Sequence, residues 1–129
     1  TLFCDDIART IFESVGTVVE ITEKQFPAFS AIGGASGSFV LMMLDSMASA
    51  GVKAGLPRKL AYEVACQVVM GSAKLASESE EHPIALVDQI CSPGGTTIEG
   101  VHTLKKRGYD SAIIEAIGAI IDKDIMLSK

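Results

Sequence analysis

The chain has 129 residues, enough for one domain with a real core and too few for two full ones. Apolar residues make up 48% and charged residues 21% of it, which excludes a disordered chain. A formal net charge of -5 leaves no electrostatic footing for nucleic acid or an anionic membrane surface, so neither is expected as a partner.

Residues 5–15, DDIARTIFESV, place acidic residues first and set Ile7, Ile11, Phe12 and Val15 at helical spacing, so a short amphipathic helix is predicted. Gly16 stops it, and Thr17-Val18-Val19-Glu20-Ile21 is a β-branched run of strand length. One strand cannot pair its own backbone, and nothing later in the chain reads as a partner. This αβ unit therefore expects a sheet from elsewhere. The opening Thr-Leu-Phe-Cys has neither a Met nor a basic-then-apolar leader pattern, as though cut from something longer.

From residue 25 to residue 44 no charge occurs, a length that can span a bilayer. Pro27 and the run Gly33-Gly34-Ala35-Ser36-Gly37-Ser38 put turn formers and hydroxyls in its middle, which argues against a transmembrane helix. The same GGASGSF stretch fits GxGxxG in no register and follows no strand, so it is not a dinucleotide fingerprint. Its small residues are expected to let helices approach closely.

Residues 38–50, SFVLMMLDSMASA, are apolar on nearly every side and predict a buried helix stopped by Gly51. Asp45, alone in that helix, must find a donor or point outward. Pro57 suits a first helical turn and opens a helix over 57–77, with Leu60, Val64, Val68, Gly71 and Leu75 on one stripe. Glu78 to His82 is a solvated hinge, and Pro83 starts a short helix through Ile90 with His82 as its solvent-facing first residue. A helix over 97–106 follows, carrying His102 and ending in the basic Lys105-Lys106-Arg107. A last helix over 110–127 sets Ile113, Ala116, Ile117, Ile120 and Ile121 on one face, with Ile114 and Ile125 widening it. So much apolar surface on so small a chain favours burial against a second copy, and a homodimer is expected.

Cys4, Cys66 and Cys91 are widely spaced, no CxxC occurs, and His82 and His102 stand far apart. Neither a disulfide framework nor a metal site is expected, and a reducing cytoplasm is the expected compartment.

Between the last helices lies Cys91-Ser-Pro-Gly-Gly-Thr-Thr-Ile-Glu-Gly100. Gly94 and Gly95 allow backbone angles barred to other residues, and Pro93 stiffens the entry. Thr96-Thr97-Ile98-Glu99 has capping-box spacing, so a helix begins at Thr96 or Thr97. Its free first-turn amides, with Ser92 and the threonine hydroxyls, make an anion site that needs no basic side chain. A small-molecule carboxylate suits it. The bland alternative, a helix stop followed by a capped helix start, has the same spacing.

Three segments together carry a family resemblance: DSMASAGVKAGLPRKLAYEVACQVVMGSAKL (45–75), EHPIALVDQICSPGGTTIEGVHTL (81–104) and AIIEAI (112–117). In order and spacing they resemble pyrroline-5-carboxylate reductase, over the whole chain from about Phe12. The resemblance implies an all-α helical bundle forming an interleaved homodimer, preceded by a short αβ remnant of a dinucleotide-binding domain. Residues 1–24 would be that remnant, its last helix and strand, and 25–129 the dimerisation and substrate-loop domain.

The resemblance further implies that the intact protein uses NADPH or NADH to reduce the C=N bond of Δ1-pyrroline-5-carboxylate to L-proline. The cofactor would be held by the part missing here, so this chain alone would be inactive. Dimers could assemble further into a pentamer of dimers. Carried over by position, Ser92, Gly94, Gly95, Thr96 and Thr97 would hold the imino-acid carboxylate, and the Thr97 hydroxyl would sit near the ring nitrogen as the catalytic group. One segment departs from the pattern. Where the family reads A-L-S-G-S-G-P-A-Y-V, this chain has Ala31-Ile32-Gly33-Gly34-Ala35-Ser36-Gly37-Ser38-Phe39-Val40. A non-catalytic self-association module, or the helical domain of another two-domain dehydrogenase, are the alternative readings.

Overall fold

A computed structural model describes the backbone of residues 2–128 and the side chains of residues 6–128; the Cys4 side chain lies outside these. Among the described residues seven α-helices follow one another: α1 Leu2–Glu13, α2 Phe26–Ser30, α3 Gly37–Lys53, α4 Arg58–Glu78, α5 Pro83–Ile90, α6 Thr96–Lys106 and α7 Tyr109–Leu127. A 3₁₀ turn at Glu23–Gln25 leads into α2, and a π turn at Ala31–Ala35 joins α2 to α3. No strand occurs among the described residues. The β-branched run at residues 17–21 therefore does not form the strand its composition predicts, because no second segment offers it a ladder.

The segment 25–44 departs from expectation in another way. Pro27 sits in the first turn of α2, where its missing N–H costs nothing. The glycines at 33 and 34 do not break the chain but widen the ladder, with the Ser36 amide donating to the Ala31 carbonyl at 3.1 Å. One helical run thus extends over Glu23–Lys53, and by length and composition alone it would cross a membrane.

Gly51 does not stop α3. The helix runs on to Lys53 and ends in a Schellman motif: Gly55 at φ +100°, its amide donating to Val52 and the Leu56 amide donating to Gly51, each at 3.0 Å. Gly51 instead serves packing, since a Cβ there would stand 3.2 Å from the Ala61 methyl on α4. Ala48, Ala61 and Ala65 are buried along the same seam. Small residues do allow close helix approach here, but at the α3–α4 hairpin. At 33–37 the space that a Cβ would take is nearly empty.

Pro57 is the N-cap of α4, with extended ψ, so the helix itself starts at Arg58. Asp45 finds its donors on that helix: the Tyr62 hydroxyl donates to it, and the Arg58 guanidinium lies 3.9 Å away while donating to Ser49 at 3.4 Å. This hydrogen bond, followed by desolvation and the Asp45 charge, raises the Tyr62 pKa above its usual 10.0 against a smaller lowering by Arg58.

The alanine seam leaves the large apolar side chains facing outward. Leu60, Val64, Val68 and Leu75 of the expected α4 stripe are about half exposed; on α7, Ile113 and Ile125 are about two-fifths exposed and Ile114 far more. The chain exposes 10493 Å², where a compact monomer of its mass exposes about 6,500 Å². An excess of roughly 4,000 Å² on one chain is at least its share of a large obligate subunit interface. The core of this fold is completed by something outside the single chain.

Candidate functional site

Helix α5 delivers the chain to the glycine-rich loop. His82 caps its start, the Nδ1 atom accepting from the Ile84 amide at 3.3 Å. The Gln89 side chain, near its end, donates from Nε2 to the Glu81 carboxylate at 2.6 Å and ties that end back to the hinge. Leu86 is buried beneath. Cys91 caps the helix and is half-buried.

Ser92 to Gly95 then form a tight turn, in which the Gly95 amide donates to the Ser92 carbonyl at 3.0 Å. Pro93 supplies the second position and Gly94, at φ +68°, the third, as a type II turn requires. The turn presses Ser92 against Gly95. A Cβ at Gly95 would overlap the Ser92 hydroxyl and approach its carbonyl oxygen to 3.1 Å. Both glycines are therefore dictated, one by backbone angle and one by space.

Gly95 is the N-cap of α6, and no side chain caps it. This corrects the capping-box expectation. Thr96 is already the first helical residue, so Glu99 falls one position beyond the place from which it would close the box. The amides of Thr96, Thr97 and Ile98 consequently have no intrahelical acceptor, and the positive end of the helix dipole stands open above the turn. Neither threonine hydroxyl is engaged within the described part of the chain, and Ser92, Thr96 and Thr97 are all exposed. An uncapped helix start with unused hydroxyls beside it is suited to a small anion, a carboxylate in particular.

Ser92, Gly94, Gly95, Thr96 and Thr97 thus fall in one contiguous turn-and-helix start. His102 lies further along α6, exposed, and His82 serves α5, so neither histidine joins the loop. The basic Lys105-Lys106-Arg107 closes the far end of α6. Among the described residues no cluster of His, Cys, Asp or Glu could hold a metal ion. What sequence reasoning missed was the snug fit of Ser92 over Gly95. The Pro-Gly pair signals the turn type, yet only the folded backbone shows that the second glycine is filled by its neighbour.

Residues 23–127 match the family model for pyrroline-5-carboxylate reductase dimerisation. The chain is 45% identical over 122 residues to a pyrroline-5-carboxylate reductase of Synechocystis, covering 95% of this chain and 46% of that protein. It is 44% identical over 119 residues to the Escherichia coli pyrroline-5-carboxylate reductase, covering 92% and 44%. Among solved structures, a pyrroline carboxylate reductase of Plasmodium falciparum with NADP bound superposes with a TM-score of 0.88 at 33% identity, over 92% of this chain and 48% of that one. The chain spans about half the length of the curated relatives it matches.

Proposed function

The chain belongs to the pyrroline-5-carboxylate reductase dimerisation family, and from that premise we propose that it is the helical C-terminal part of a reductase that converts Δ1-pyrroline-5-carboxylate to L-proline. The observation that carries this reading is the open start of α6 facing the Ser92–Gly95 turn. Its three free amides and adjacent hydroxyls suit the substrate carboxylate without a cationic side chain.

In this reading the amides of Thr96 and Thr97 and the Ser92 hydroxyl bind the carboxylate. Gly94 and Gly95 give the backbone the shape that lets them converge. Fixing the carboxylate orients the flat ring so that one face of its C=N bond is presented for reduction. The Thr97 hydroxyl lies near the ring nitrogen and donates to it as its charge changes. A threonine hydroxyl is far too weak an acid to be a general acid, so its contribution is orientation and a hydrogen bond.

The reducing equivalent comes from NADPH or NADH. The described residues do not fit that cofactor: no strand leads into a glycine-rich turn, and GGASGSF lies within the π turn and the start of α3. No residue of this chain is assigned to hold it. Residues 1–24 are read as the end of a dinucleotide-binding domain whose remainder lies outside this chain, and the chain alone is inactive.

The exposed leucines, valines and isoleucines of α4 and α7 are assigned to the partner subunit of a homodimer, which could assemble further into a pentamer of dimers. The same assignment accounts for the apolar run Glu23–Lys53 without a membrane, and the protein is placed in the cytoplasm. The test is turnover by the full-length protein with Thr97 intact and with Thr97→Ala. Loss of pyrroline reduction with an unchanged dimer supports the reading, and unchanged kinetics remove Thr97 from the site.

A further inference from the structure

The helical run Glu23–Lys53 has two halves with different companions. Its first half, α2 and the π turn, packs on α7, which in turn packs on α6, the helix that the loop opens. Its second half, α3, packs on α4. The one place where the ladder departs from α geometry in the middle of this run is Ala31–Ala35, at the boundary between the two groups. Such turns add one residue to the helix and weaken the local ladder.

Two further features fall on the same spot, and a third concerns the contact between the two groups. Within the single chain Gly33 and Gly34 are not required by packing: a Cβ on either would meet nothing nearer than 3.9 Å, and one on Gly37 would meet nothing within 4 Å. Each of these glycines weakens the helix by up to about 1 kcal/mol relative to alanine. The hydroxyls of Ser36 and Ser38 bond back to the carbonyls of Ile32 and Ala35, a competition that bends helices. Among the described residues, the one side-chain hydrogen bond across the two groups is a long one, from the Tyr109 hydroxyl to the Met43 sulfur at 3.9 Å.

We propose that the π turn at Ala31–Ala35 is a joint, about which the α3–α4 hairpin changes its angle relative to the group of helices α2, α6 and α7 that carries the glycine-rich loop. The glycines give this joint its compliance, since no neighbour within the chain demands them. This inference does not depend on the substrate assigned to the loop.

The experiment measures an inter-group distance in the full chain. Nitroxide labels are placed at K59C on α4 and E115C on α7, both exposed, with Cys4, Cys66 and Cys91 replaced by Ser and the labelled chain diluted into unlabelled chain. Pulsed dipolar spectroscopy then compares the native hinge with Gly33→Ala/Gly34→Ala. A distribution at least twice as broad in the native hinge as in the double variant supports the joint. Equal widths in the two chains, whether narrow or broad, overturn it. If the double variant loses its helical circular dichroism, Gly37→Ala answers the same question, with the same two outcomes.

Discussion

Ser92 occupies the space that a side chain at Gly95 would need. A Cβ there would overlap the serine hydroxyl and stand 3.1 Å from its carbonyl oxygen. The hydroxyl can rotate away, but the carbonyl is held by the turn it makes with the Gly95 amide. Gly95→Ala is therefore expected to open the turn and move the first amides of α6. In the full-length enzyme this should lower kcat/KM by roughly 100-fold, the scale expected when a binding group is displaced by about 1 Å. Helical circular dichroism and dimer size should stay unchanged.

Gly94 tests the same loop by a different cause. Its φ of +68° is left-handed, so an alanine there is strained by roughly 1–2 kcal/mol. A Cβ at Gly94 meets no neighbour, and the cost is conformational only. Gly94→Ala is expected to lower the denaturant midpoint of the chain by an amount equivalent to about 1 kcal/mol, whereas Gly37→Ala, in a helix and with open space around it, should leave it equal or higher.

The helix order was legible because each helix carries its own punctuation. Pro83 after His82, the basic Lys105-Lys106-Arg107 ending α6 and the isoleucine spacing of α7 all fall where the structure places them. The boundaries that moved did so for physical reasons. Gly51 has the sequence signature of a stop, but its bareness serves the Ala61 contact, and Gly55 ends the helix instead. The turn formers in the middle of 25–44 argue against a membrane span, yet a helix can absorb two glycines by widening into a π turn. For the site, the residue types and the anion chemistry were readable from Ser-Pro-Gly-Gly-Thr-Thr. The absent cap was not, because Thr-x-x-Glu spacing looks the same whether Thr96 caps the helix or begins it.

The Tyr62–Asp45 bond gives the α3–α4 hairpin a pH dependence with a definite sign. Folding raises the Tyr62 pKa above 10.0, chiefly through the hydrogen bond it donates to Asp45. The folded state therefore holds the phenol proton more tightly than the unfolded state does. This stabilisation is complete below pH 10 and is lost as pH rises through the raised value. Thermal melts of the chain and of Tyr62→Phe should accordingly converge above pH 10, with the native chain the more stable below it. A constant difference across that range would show that the bond does not couple to folding.

The apolar faces make a prediction about assembly. Ile114 is 71% exposed in the single chain, so a charge there has no reason to disturb the monomer fold. If α7 meets a second copy, Ile114→Asp loses the burial of a large side chain, about 1.5–3 kcal/mol, and adds a desolvated carboxylate. Light scattering should show a dimer for the native chain and a dimer at least tenfold weaker for the variant. A native chain that stays monomeric at high concentration would contradict the assignment of these faces.

The central claim is that the turn and helix start at residues 92–97 serve the reduction of a cyclic imino acid. The most direct measurement follows NADPH and NADH absorbance with the purified full-length protein. The substrates offered are Δ1-pyrroline-5-carboxylate, linear imines and a panel of small hydroxy and keto acids. Oxidation of the nicotinamide is expected with the pyrroline alone, with L-proline as product. No oxidation with the pyrroline, or equal rates with the other acids, would contradict it.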